Sequence, residues 1–227
     1  MGVRKAVGVK YKVIKQAISK ELAKFCFDYF NLKREVVKYL IDDNYISPYN
    51  QLFGTFIDKQ VPNTYSHYAD LVMETLLLQC QDVLEKESKT KLIPTYSYAR
   101  IYKKGDVLHR HKDRFSCEIS TTLNLGGDHW PIYVNPDPNE GYVTGPKQGI
   151  NGVQQYVASK SKGIKIDLEP GDMLFYYGCK LEHWRDEFKG NNCTQVFLHY
   201  HKLTKTNKKN IYDSRPMLGL PAKYKKI

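Results

Sequence analysis

Glu118-Ile119-Ser120-Thr121-Thr122-Leu123-Asn124-Leu125 alternates without a break. Side chains of a strand point to opposite faces in turn. Ile119, Thr121, Leu123 and Leu125 therefore share one face, and Glu118, Ser120, Thr122 and Asn124 the other. The pattern continues on both sides. Gly126-Gly127-Asp128 reads as a turn, and short strands are expected over 130–134, 164–168, 173–177 and 195–201. Glu169-Pro170-Gly171-Asp172 is a tight turn feeding the strand at 173. From Pro94 onward the chain is thus read as β-structure.

The first part reads differently. A short strand is expected over 11–18, then Ser19 as the N-cap of a helix over 20–40, with Glu21 in its first turn. Residues 42–64 are rich in turn formers. Val72, Leu76, Cys80, Val83 and Leu84 recur at helical spacing and predict a second helix over 65–87. Helices followed by many strands argue an α+β chain whose main body is a β-barrel or sandwich. One domain over 1–227 is expected, with helices in 1–93, the barrel in 94–201 and a basic tail over 202–227.

The net charge of +11 sits at the ends. Residues 1–20 carry +6 and 202–227 carry +7, leaving 21–201 at −2. Such ends attract nucleic acid, or serve only as solvated tails. The tail's Pro216–Pro221 stretch is apolar enough to dock on the body instead. Five cysteines with no C-x-x-C pair argue against a disulfide framework or a zinc knuckle. No apolar run approaches about 18 residues, and the first residues lack a signal-peptide core. A cytoplasmic protein without a membrane partner is expected.

His111-Lys112-Asp113 puts an imidazole and a carboxylate on one face of an extended segment. His183, 72 residues later, follows the strand at 173–177 and supplies a third ligand. Two histidines and a carboxylate make the facial triad of non-haem iron oxygenases; some zinc hydrolases use the same set. His109 offers an alternative partner for His111. His199 and His201 share a face without a carboxylate beside them, and packing is expected there. His67 and His129 read as surface or rim histidines. Arg114 and Glu118 read equally as substrate contacts or as a surface ion pair.

The flanks of the triad resemble a known family. Tyr102-Lys-Lys-Gly-Asp-Val-Leu-His-Arg-His111-Lys-Asp113 is similar to the approach to the iron motif in prolyl 4-hydroxylase-type Fe(II)/2-oxoglutarate dioxygenases. Leu168-Glu-Pro-Gly171-Asp172-Met-Leu-Phe175, followed by His183, resembles that family's strand leading to the distal histidine. The resemblance spans 11–202. It implies a double-stranded β-helix (jelly-roll, cupin-like) core with N-terminal helices packed on one sheet. It also implies Fe(II), 2-oxoglutarate and O₂, with ascorbate as an optional addition, and metal ligands His111, Asp113 and His183. Tyr102 would then contact 2-oxoglutarate. The family's basic residue nine to twelve positions after the distal histidine is missing, since Asn192, Cys193, Thr194 and Gln195 stand there. Arg185, two residues after His183, is the expected anchor for the far carboxylate, with Gln195, His199 and Thr122 as lesser candidates. The expected activity is hydroxylation of a C–H bond in a peptide or protein substrate of prolyl type. A small molecule or nucleic-acid base as substrate, and a non-catalytic cupin-like metal-binding module, are the alternatives. The stretch 135–162, with Gly141, Gly145, Gly149, Gly152, Tyr142 and Tyr156, reads as a loop or hairpin excursion suited to a lid.

Overall fold

The computed structural model describes residues 11–144 and 155–224. Gly145, Gly149 and Gly152 lie outside them. Strand β1 (Tyr11–Ile14) is shorter than expected, because the chain turns at Gln16, whose φ is +49°. Helix α1 (Lys20–Asp42) starts where the sequence places it: the Ser19 hydroxyl accepts from the Leu22 N–H at 3.2 Å. Its buried stripe is Ala23, Cys26, Phe30 and Val37.

The second helix departs from expectation. Ser66–Tyr68 forms an edge strand, β2, and Ala69 turns the chain at φ +63°. Asp70 then caps α2 (Leu71–Ser88), accepting from the N–H groups of Val72 and Met73. The apolar stripe read from the sequence belongs to this shorter helix. The helical pattern could not register that Ser66–Tyr68 finds better hydrogen bonds on the edge of a sheet.

The strands that follow are β3 (Leu92–Tyr102), β4 (Leu108–His111), β5 (Ile119–Gly127), β6 (Ile132–Val134), β7 (Tyr142–Thr144), β8 (Gln155–Val157), β9 (Ile164–Ile166), β10 (Met173–Tyr176), β11 (His183–Arg185) and β12 (Cys193–Lys202). Two antiparallel sheets face each other, a six-stranded one in the order β1-β10-β5-β12-β3-β2 and a four-stranded one in the order β4-β11-β6-β9. Within the stretch read as a loop or hairpin excursion, strands β7 and β8 pair antiparallel as a separate two-stranded sheet. The helices cover the outer face of the large sheet. Ala99, Ile101, Ile119, Leu123, Val196 and Leu198 pack there with Phe30, Met73, Leu77 and Leu84. Full burial of each large apolar side chain contributes about 1.5–3 kcal/mol. Ile132, Val134, Ile166, Leu174 and Leu181 build a smaller apolar cluster between the sheets.

The described part of the basic tail is docked. Arg215 reaches between α2 and β3, donating to Glu74 at 3.1 Å and to the Thr95 carbonyl at 3.0 Å, and Gly219 N–H donates to Glu74 at 2.7 Å. Asp213 accepts from Arg114 and Tyr68. His67 is a correction to the sequence reading. It is buried, with Nδ1 3.2 Å from Asp70 and Lys33 beside it, not a rim histidine. His129 is at the surface and pairs with Asp167. All five cysteines are free. Among the described residues, no helix is long and apolar enough to cross a membrane.

Candidate active site

Register brings the triad together. Strands β4 and β11 pair with His183 opposite His111, and the two ring centroids lie 4.2 Å apart. Asp113, just past β4, is fixed by its backbone N–H donating to the Gly178 carbonyl at 3.0 Å. Its Oδ1 lies 3.5 Å from the Nε2 atoms of both histidines. Each imidazole donates its Nδ1 proton to the carbonyl two residues before it, His111 to His109 at 2.7 Å and His183 to Leu181 at 3.0 Å. Those bonds hold the Nδ1 protons and leave both Nε2 atoms facing the carboxylate, where each can carry a second proton or coordinate a metal. Ser120 donates to the other carboxylate oxygen at 2.7 Å. This donor set fits a divalent metal, since three ligand atoms converge and outer partners orient them. Burial raises the Asp113 carboxyl, but facing His183 and His111 holds it well below the usual range.

His199 sits behind this cluster. Ser120 has a single hydroxyl proton, which goes to Asp113, so His199 Nδ1–H donates to Ser120 at 3.1 Å. Burial pushes His199 down to about 4, which keeps it neutral. His201 faces elsewhere, because a bulge between His199 and Tyr200 breaks the alternation. It does have a carboxylate beside it, against expectation: Glu118 lies 3.3 Å from its Nδ1. Glu118 also accepts from the Lys202 N–H, and Arg114 pairs with Asp213 at 2.6 Å. Both residues thus hold the C-terminal segment. His109 is exposed and contributes only its carbonyl.

The triad opens into a cavity of about 200 Å³ lined also by Tyr96, Tyr98, Arg100, Tyr102, Tyr176 and His199. Arg185 lies behind it and is fully buried. Its guanidinium donates to the Trp130 carbonyl and contacts Thr122 Oγ1 at 3.5 Å, while Nε has no partner. Among the described residues no carboxylate pairs with it. Burial pushes its pKa down, and its electrostatic neighbours are Cys193, Tyr102 and Tyr176. Gln195 completes this end, accepting from Thr122 at 3.4 Å and donating to Asn124. Arg185, Thr122, Gln195 and Tyr102 therefore gather at one end of the interior, and His199 stands at the other.

Several residues here escaped the sequence reading. Asp58 and Gln60 come from the turn-rich stretch before β2 and reach Arg100. Tyr96, Tyr98 and Arg100 share the inner face of β3 with Tyr102, an alternation visible in the sequence once β3 is known to border the cavity. Gly178 is the third. A Cβ there would collide with Asp113 and Ser120, so only glycine lets the carboxylate sit where it does. The hairpin is tied to the site from outside. Glu182, next to His183, accepts from Ser159 N–H at 2.9 Å and Tyr156 at 3.1 Å, and Lys112 donates to the Pro138 carbonyl at 2.9 Å.

Comparison with protein-family models and with curated proteins finds no match. Comparison with solved structures does. The non-haem α-ketoglutarate-dependent epimerase SnoN of nogalamycin biosynthesis is 10% identical over 86% of this chain and 79% of its own, with a TM-score of 0.55. AviO1 from Streptomyces viridochromogenes Tue57 is 11% identical over 85% and 90%, at 0.54. HygX from Streptomyces hygroscopicus, solved with nickel and 2-oxoglutarate, is 13% identical over 86% and 83%, at 0.51. The chain has the double-stranded β-helix fold of the 2-oxoglutarate-dependent oxygenases, as the sequence resemblance implied.

Proposed function

We propose that this protein is an Fe(II)- and 2-oxoglutarate-dependent oxygenase that hydroxylates a C–H bond. One observation carries the reading: behind the convergent His111–Asp113–His183 cluster lies Arg185, a buried cation that no carboxylate among the described residues pairs with. An uncompensated guanidinium away from water is costly, and an incoming carboxylate offsets that cost. Arg185 would hold the far carboxylate of 2-oxoglutarate.

In this reading His111 and His183 hold the metal through Nε2 and Asp113 through Oδ1. Bound Fe(II) supplies the activation of O₂, coupled to the oxidative decarboxylation of 2-oxoglutarate. The chain's own residues do the rest. Ser120 fixes the carboxylate, Gly178 makes room for it, and neutral His199 steadies Ser120 without adding charge. Tyr102, Thr122 and Arg185 bind and orient the far carboxylate. Tyr176, packed edge-on against His183 at 4.7 Å, excludes water from the ligand ring.

For the substrate, a chain-like molecule such as a peptide is the reading the shape supports. A second cavity of about 290 Å³, lined by Gln51, Ile57, Tyr68 and Pro221 among others, shares Asp58 and Tyr98 with the first. The two cavities adjoin at those two residues. The test is anaerobic titration of the protein with Fe(II) and then 2-oxoglutarate, following heat and the weak visible band of the complex. Stoichiometric binding of both, with succinate released on admitting air, is expected. Metal binding without 2-oxoglutarate binding would leave a metal-binding module and reject the oxygenase reading.

A further inference from the structure

Two arginines enter the interior, and they are not equivalent. Arg185 has no counter-ion among the described residues, whereas Arg100 is paired with Asp58. The Arg100 side chain, on β3, is 1% exposed; Asp58, from an irregular loop, is 20% exposed. Asp58 does not merely neutralise Arg100. Two residues on, Gln60 accepts from Arg100 at 3.2 Å, and its amide nitrogen lies 3.4 Å from Nε2 of His111. That nitrogen is the atom that would bind the metal. The Asp58–Gln60 segment therefore lines the cavity beside the triad, where an incoming molecule would meet and displace it.

Displacement has an electrostatic consequence. Once Asp58 withdraws, Arg100 is left as a buried guanidinium between the rings of Tyr98 and Tyr102, at 5.2 and 5.4 Å, with an Nε already lacking a partner. A neutral substrate would pay for that exposed charge with its own binding energy. A substrate bringing a carboxylate would replace Asp58 one for one, using the planar fork that suits bidentate pairing. We infer that Arg100 selects substrates carrying a carboxylate, and that Asp58 occupies its place until such a substrate arrives. This rests on the oxygenase reading for the chemistry that follows, but not for the binding step. The carboxylate is that of a free acid or of an acidic residue in a peptide.

The experiment compares acids with their neutral amides on the full chain, loaded with Zn(II) and saturating 2-oxoglutarate. The probes are phenylacetate against phenylacetamide, and N-acetyl-Glu-Phe-amide against N-acetyl-Gln-Phe-amide, measured by ligand-observed NMR. Asp58→Asn removes the competitor and should tighten one or both acids by about tenfold while leaving the amides unchanged. Whichever acid responds identifies the source of the carboxylate. Arg100→Gln should abolish the preference for acid over amide. Arg100→Lys, which keeps a charge opposite Asp58, guards against a folding defect and should weaken the acids but not the amides. In the wild type, a bound acid should speed hydrogen exchange at the Gln60 N–H, which Asp58 holds at 2.7 Å. Equal affinity for acids and amides in Asp58→Asn, or an acid preference that survives Arg100→Gln, overturns the proposal. So does loss of 2-oxoglutarate binding in Arg100→Gln with retention in Arg185→Gln, since Arg100 would then be the cosubstrate anchor. If 2-oxoglutarate binds neither variant nor wild type, the oxygenase reading fails, and the acid-against-amide comparison still decides this one without it.

Discussion

The two faces of the six-stranded sheet are built from the same strands and have opposite chemistry. Outward, toward the helices, lie Ala99, Ile101, Leu123, Val196 and Leu198, with Phe30, Met73 and Leu77 against them. Inward lie Tyr96, Arg100, Tyr102, Ser120, Thr122, Gln195 and His199, all buried too. Burial thus does not separate fold from function here; polarity does. The outer face holds the sheet by removing apolar area from water. The inner face uses buried polar groups for convergence, and of the residues named there only Arg100, at Nε, holds a buried side-chain atom without a hydrogen-bond partner.

The comparison predicts that inner-face changes abolish chemistry with little loss of stability, and outer-face changes do the reverse. The largest effect is expected for His183→Ala. Succinate release should fall by about a thousandfold or more with tight metal binding lost, while thermal unfolding of the metal-free protein stays near wild type. Retained activity and iron content would break the comparison at its centre. Phe30→Ala, on the helix side, should cost about 3–5 kcal/mol in denaturant unfolding, with metal affinity per folded molecule unchanged.

Arg185→Gln comes next and sharpens the inner face. The 2-oxoglutarate dissociation constant should rise by an amount equivalent to about 2–4 kcal/mol, and calorimetry without substrate reads this directly. An unchanged constant would move the anchor to Gln195, Thr122 or Arg100.

Asp70 gives a smaller effect with a pH signature. Burial raises its carboxyl, but hydrogen bonds and charge from His67 and Lys33 hold it well below its ordinary value. A carboxyl depressed on folding adds stability above its unfolded pKa, about 3.9, and that stability is lost as pH falls toward the folded value. Asp70→Asn should therefore destabilise by about 2 kcal/mol at neutral pH and flatten the acid limb of unfolding free energy below about pH 4. An acid limb of wild-type slope would show that Asp70 does not contribute to it. The smallest effect belongs to Tyr102→Phe, about 1 kcal/mol in 2-oxoglutarate affinity.

Much of this was legible in the chain. Ser19 fixed the start of α1 because an N-cap is a local event involving three residues. The alternation at 119–125 fixed the two faces of β5, since a strand's period is set by its own backbone. His111 and Asp113, two residues apart, declared a shared face for the same reason. Local rules failed where partners are distant. The helix expected from 65 begins at Leu71 because Ser66–Tyr68 pairs with Tyr98–Arg100. His67 is buried because Lys33 and Asp70 meet it from α1 and from the turn before α2.

The sequence by itself determined the strand and helix periods, the Ser19 cap of α1 and the identity of residues able to hold a metal, because each is decided within a few residues. Only the tertiary structure decided that β4 and β11 align His111 with His183, that Gly178 leaves room for Asp113, and that, among the described residues, Arg185 stands without a carboxylate while Arg100 has Asp58. Those outcomes depend on which segments far apart in the chain become neighbours across a packed interior, and no local spacing encodes the distance between them.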